Sequence, residues 1–107
     1  MIRRESGRIV VSGPVTLANI AAVLEEARRH LEEGVRIVDL GEVTEMDSSL
    51  LAAMLAWLRD ARRRGAELTF ANLPESVRTI ARLYGLDGLI PVVETPRETP
   101  RETAASR

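Results

Sequence analysis

An α/β fold is what this sequence predicts: a mixed, mostly parallel β-sheet opened by an N-terminal hairpin, with helices packed against the sheet. Two observations carry that expectation. The runs "RIVVS" at 8–12, "VRIVDL" at 35–40 and "ELTFAN" at 67–72 have the branched and alternating composition of strands. Between them lie segments whose apolar residues recur at helical spacing. Strands separated by helices imply right-handed crossovers and parallel pairing.

The elements follow in order. Ile2 to Glu5 reads as a short edge strand, Ser6-Gly7 as a turn, and residues 8–12 as the hairpin partner. Gly13-Pro14 is expected to break that strand. Thr16 should cap a helix that turns Leu17, Ile20, Leu24, Ala27 and Leu31 inward until Gly34 ends it. After the buried strand at 35–40, a short acidic loop from Gly41 to Asp47 leads into a second helix. Its inward stripe is Leu51, Met54, Leu55 and Leu58; Arg62, Arg63 and Arg64 suit its negative C-terminal end, and Gly65 stops it. "LPESVRTIARLYG" predicts a third helix, with Pro74 and Glu75 in its first turn and Val77, Ile80, Ala81 and Tyr84 facing in. "LIPVV" adds an edge strand, and Phe70 and Tyr84 read as core. The globular domain is expected over residues 1–94. Residues 95–107 repeat TPRE, hold almost nothing apolar to bury, and are expected to form a disordered tail.

Composition narrows the function. The chain has 107 residues, 45% hydrophobic and 29% charged, enough for one modest core without metal or disulfide. Cysteine is absent, which removes thiolate nucleophiles and cysteine-based zinc sites and points to a reducing compartment. A net charge of −1 gives no basic field for nucleic acid or an anionic membrane surface. All 15 basic residues are arginine, so no lysine can form a Schiff base or serve a phosphate-binding loop. The longest apolar run, Leu50 to Leu58, is far short of the roughly 20 residues that span a bilayer. "MIRRESGRIV" starts basic but holds no apolar stretch of signal-peptide length, so a cytoplasmic protein without direct membrane insertion is expected.

The stretch "TEMDSSLLAAM" at 44–54 raises the functional question. Asp47, Ser48 and Ser49 stand where a helix needs an N-cap, and one of them suffices for capping. The other two are left at a helix N-terminus that favours negative charge. A hydrolytic serine would need a nearby base and an oxyanion donor pair, but the one histidine, His30, falls among Arg28, Arg29 and Glu32 and reads as a solvated surface residue. No glycine-rich phosphate loop is present, and Glu42, Glu45 and Asp47 would repel a polyphosphate. An enzyme or small-ligand site would require a polar cleft joining Asp39, Asp47 and Ser48. A protein interface, or a serine that receives a regulatory phosphate, fits better. A phosphate on Ser48 would add a charge of about −1.5 to −2 that the helix tolerates and an apolar partner does not. Leu50 and Trp57, one heptad apart and about 100 to 120° round the helix from Leu51, either widen the core contact or form a docking ridge beside Ser48.

From about Arg8 to Val93 the order strand, "SGPVTLANIAAVLEEA", "VRIVDLGEVTEMDSSLL", "GAELTFANLP", "LYGLDGLIP" resembles the STAS domain family, centred on Asp47-Ser48 after a strand ending in Asp-Leu. In the anti-sigma factor antagonist branch, the serine matching Ser48 accepts phosphate from an anti-sigma factor kinase, which breaks the partnership. "FANLPESVRTIARLYGLDGLI", with Asn72-Leu73-Pro74 and Leu83-Tyr84-Gly85, is more similar to the branch that serves as a small subunit of phospholipid-transporting ABC complexes, which maintain outer-membrane lipid asymmetry. That resemblance implies a non-enzymatic accessory subunit with no cofactor and no metal. It would bind the ABC transporter ATPase through Asp47, Ser48, Ser49, Leu50 and Trp57, in the cytoplasm at the inner face of the inner membrane. The family commonly carries glycine where this chain has Leu50; the bulkier side chain tilts the expectation from reversible antagonist toward a standing apolar contact.

Overall fold

The computed structural model describes residues 1–93; the tail expected over residues 95–107 lies outside the described residues. Strand β1 (Ile2–Glu5) turns into β2 (Arg8–Val15); α1 (Ile20–Glu32) leads to β3 (Ile37–Met46), and α2 (Ser48–Arg63) to β4 (Thr69–Ala71). Helix α3 (Glu75–Leu83) then passes through a 3-10 turn at Asp87–Leu89 to β5 (Val92–Val93). Ser6 and Gly7 both take positive φ, 53° and 80°, the two-residue hairpin geometry whose twist matches the flanking strands.

Among the described residues the sheet runs in the order β1-β2-β3-β4-β5, with the first pair antiparallel and the others parallel. Strands in sequential order joined by right-handed crossovers place all three helices on one face, and α2 accordingly packs between α1 and α3. Ile9, Val11, Val38, Leu40 and Phe70 supply the strand side of the core; Val23, Ala27, Leu31, Met54, Leu58, Val77 and Ala81 supply the helix side. The opposite face carries Val10, Asp39 and Ala71 in one register row. There Arg8, two residues from Val10, reaches across to pair with Asp39 at 3.1 Å.

Four expectations are corrected. Gly13-Pro14 does not break the strand: β2 continues to Val15, because Gly13 adopts φ 85° and a register shift between Gly13 and Pro14 absorbs the missing proline N–H. The acidic loop at 41–47 is mostly strand, since β3 runs to Met46 alongside the lengthened β2, and Glu42 points out to pair with Arg3. Helix α1 starts at Ile20, so Leu17 leaves the apolar stripe and is 77% exposed, with Val23 buried instead. Tyr84, expected inward, is 69% exposed; α3 ends at Leu83, and the chain turns at Gly85 with φ 70°, so helical spacing no longer sets its direction. His30 is half-buried, with its Nδ1 2.9 Å from an Arg4 guanidinium nitrogen.

The docking ridge is also absent. Leu50 is 0% and Trp57 3% exposed, and both join the core cluster with Leu51, Met54, Leu58 and Ala61. A helix lying between two others buries a wider arc than a single stripe, which draws in the flanking positions. Leu50→Ala is therefore expected to lower the unfolding free energy by about 2–5 kcal/mol in a urea titration, the cost of a cavity in a packed core. A change below about 1 kcal/mol would contradict a core role.

Candidate functional site

The site is built where β2 and β3 run out together. Their parallel pairing ends at Val15 and Met46, so the loop after β2 arrives beside the first turn of α2. Within that loop Asn19 replaces a helical turn: its Oδ1 accepts from Thr16 N at 2.9 Å and its Nδ2 donates to Pro14 O at 2.9 Å. Asn19 is the N-cap position of α1, yet its side chain is spent on the loop and makes no capping bond to the helix.

Asp47 is the N-cap of α2, in extended conformation. Its Oδ1 accepts from Ser49 N at 2.9 Å and from the Ser49 hydroxyl, satisfying one of the unpaired amides of the first turn. Its Oδ2 accepts from Leu17 N at 3.0 Å and so pins the β2–α1 loop to the start of α2. These bonds, the Ser49 hydroxyl first and then the amides of Leu17 and Ser49, hold the carboxyl below its usual range. Ser48, which takes no part in the cap, is exposed, and its hydroxyl makes no hydrogen bond among the described residues.

The sequence-predicted residues thus separate into three roles. Asp47 and Ser49 build the cap, Leu50 and Trp57 lie in the core, and Ser48 alone of the five presents its side chain outward. The indole N–H of Trp57 is buried with no acceptor among the described residues. Sequence reasoning missed Leu17. Its apolar character fitted the helical spacing, and only the Thr16–Asn19–Pro14 bonding, a side-chain turn ahead of the helix, marks it as surface.

A second polar cluster lies behind the sheet. Asp39 accepts from Gly41 N at 2.9 Å, from Asn72 Nδ2 at 3.0 Å and from Arg8 at 3.1 Å. Asn72 sits at φ 56°, and a Cβ on Gly41 would stand 3.0 Å from the Asn72 Cβ and 3.1 Å from Asp39 Oδ1, so a side chain at 41 would press on both partners of the cluster. Through Asn72 it fixes the segment that leads to Pro74 and α3, whose Ser76 donates to Met46 Sδ at 3.1 Å, next to Asp47. Asp39 and Asp47 bind different partners. The cleft of about 420 Å³ beside Asp39, lined by Leu40, Gly41, Val43 and Asn72 to Pro74, includes neither Asp47 nor Ser48. Among the described residues no three His, Asp or Glu side chains converge as metal ligands, and no helix is long and apolar enough to cross a membrane.

Known proteins resemble this arrangement. Residues 2–93 match the family described as Mlab, STAS domain. The intermembrane phospholipid transport system binding proteins MlaB of Escherichia coli K12 and Shigella flexneri are each 32% identical over 63 residues, covering 59% of this chain and 65% of theirs. Among solved structures, the unphosphorylated anti-sigma factor antagonist SpoIIAA superposes with a TM-score of 0.66 at 14% identity, over 92% of this chain and 89% of that one. A Thermotoga maritima protein assigned as an anti-sigma factor antagonist gives 0.70 at 16% identity, over 89% and 86%. At those identities the two structures speak for the fold.

Two measurements probe the anchors. Burial pushes the Asp39 carboxyl up, but the bonds from Asn72, Gly41 N–H and Arg8 together bring it below its usual value. A folded-state pKa below the unfolded one gives stability that is complete above the unfolded carboxyl pKa of about 3.9 and is lost as pH falls through the lower folded value. Unfolding free energy should therefore drop on acidification from about pH 4, and Asp39→Asn should be less stable at pH 7 with a shallower acid limb. Equal acid limbs would contradict the assignment. For Asp47→Ala, faster hydrogen exchange is expected at the Leu17 and Ser49 amides, read by NMR, while the core strands keep their protection.

Proposed function

Because the chain belongs to the MlaB group of STAS domains, we propose that it is a non-enzymatic accessory subunit that binds the ATPase subunit of a phospholipid-transporting ABC complex and supports its assembly or activity. The observation that carries the reading is the pairing of Ser48 and Leu17. A hydroxyl and an aliphatic side chain, both exposed, stand on segments that one carboxylate, Asp47, ties together. Such a surface suits recognition: an apolar contact for affinity beside a helix N-terminus whose amides and hydroxyl set register. Asp47 and Ser49 act as its frame, and Leu50 and Trp57 as the packing beneath it. The subunit works from the cytoplasm, held at the inner face of the inner membrane by its partner.

One observation favours a second reading, an anti-sigma factor antagonist whose partnership is ended by phosphorylation of Ser48. The Ser48 hydroxyl is exposed and unbonded among the described residues, as a kinase acceptor must be. A phosphate there meets the positive end of α2 and leaves the fold intact while burying a charge in any apolar contact.

Both readings meet in one experiment. Ser48→Glu combined with Leu17→Asp should abolish co-purification of the ATPase subunit, with unfolding free energy within about 0.5 kcal/mol of wild type because both positions are exposed. Undiminished capture would reject this surface. Intact mass of the chain from its native cell separates the two: a stoichiometric phosphate on Ser48 speaks for the antagonist, an unmodified serine in every growth condition for the subunit.

A further inference from the structure

Trp57 carries a donor that the fold leaves unanswered. The side chain is 3% exposed, and its indole N–H is buried with no acceptor among the described residues. Nearly every buried donor in a folded protein is paired, because an unpaired one has given up its bond to water and received nothing in return. The same residue walls a cleft of about 430 Å³ between α1 and α2, together with Ala21 and Leu24 from α1 and Ala56 from α2. All the lining comes from these two helices and none from a strand, so the cleft opens on the side of the helix layer away from the sheet. Neither Ser48 nor Leu17 lines it. Along α2, Trp57 stands about 13 Å from Ser48, which makes this a separate site.

The charges at the cleft do not cancel. Arg28 is paired with Glu25 and with Glu32, each at 2.7 Å, and Asp60 is held by Arg63 at 2.8 Å and Arg64 at 3.0 Å. Arg59, which also lines the cleft, is exposed and makes no ion pair or side-chain hydrogen bond among the described residues. Counting all of these groups, the arginines outnumber the carboxylates by one. The cleft therefore combines an apolar wall, one uncompensated cation and an indole donor without an acceptor. Its volume falls in the range of small-molecule sites, roughly 300 to 1,000 Å³.

We propose that the α1–α2 cleft binds a small amphiphilic anion, a molecule with a short apolar body and one carboxylate or phosphate head. The body lies against Ala21, Leu24 and Ala56, and the head pairs with Arg59. The indole N–H is itself shielded from water, so the head reaches it as the edge of Trp57 turns toward the cleft and gives it the acceptor it lacks. For a body of about six carbons and one exposed ion pair, the dissociation constant is about 1 mM.

Trp57 is the only tryptophan of the chain, so its indole N–H gives one resolved reporter in a proton–nitrogen NMR spectrum. The full chain alone is titrated with hexanoate and, separately, with hexyl phosphate, to about 20 mM. Either probe should move the indole proton downfield and saturably; the one that binds more tightly identifies the head as carboxylate or phosphate. Inorganic phosphate, which lacks the body, should leave the resonance in place, and 1-hexanol, which lacks the charge, should bind at least tenfold more weakly. Arg59→Glu, at an exposed position, should keep the circular dichroism spectrum and weaken both probes tenfold or more. The proposal is overturned if neither probe gives a saturable shift, if 1-hexanol binds as tightly as hexanoate, or if Arg59→Glu binds as wild type does. None of these results bears on the Ser48 surface, since no ATPase is present.

Discussion

One carboxylate joins the two segments that form the proposed docking surface. Asp47 closes the first turn of α2 with one oxygen and holds the Leu17 amide with the other. Neither bond is strong on its own in water, but both are charge-assisted and both satisfy backbone donors that have no partner in regular structure. Their combined effect is positional. The exposed leucine of the β2–α1 loop and the exposed serine of α2 are held together while Asp47 is ionised, so the proposed docking surface is already formed and a partner would lose little entropy ordering it.

The length of β2 and β3 makes that bridge possible. Had either strand ended at the middle of the sheet, Thr16 to Asn19 would not have reached α2. The bulges that let Gly13-Pro14 pass through β2 therefore belong to the site as much as to the sheet. Behind the sheet, Asp39 does for α3 what Asp47 does for the β2–α1 loop. It takes hydrogen bonds from Arg8 on β2, from its own strand at Gly41, and from Asn72 at the approach to α3, tying the three together.

Much of this was legible in the sequence because burial and periodicity coincide there. The hairpin, the three helices, the Gly34 and Gly65 stops and the closing edge strand follow from β-branched runs, helical spacing and glycine placement. The arithmetic of caps left two of the three polar residues spare; Ser49 joins Asp47 in the cap, and Ser48 alone stays clear of it. What sequence reasoning misread was decided by contacts that no local pattern encodes. Pro14 sits inside a strand because a parallel neighbour tolerates a shifted register. Leu17 turns outward because Asn19 and Asp47, one on each side, claim the backbone around it. Leu50 and Trp57 turn inward because α2 has a helix on both flanks, and Tyr84 turns outward because its helix stops one residue too soon.

The contact between Gly41, Asp39 and Asn72 reaches beyond this molecule. A side chain at 41 would have to share space with the Asn72 Cβ and an Asp39 oxygen, and Asn72 holds its left-handed backbone while its amide serves the same carboxylate. Drift at any one of the three positions leaves the other two badly matched. Lineages descended from this chain should therefore keep the trio whole or replace it together, and a homologue with a bulkier residue at 41 should have lost the aspartate or the asparagine as well.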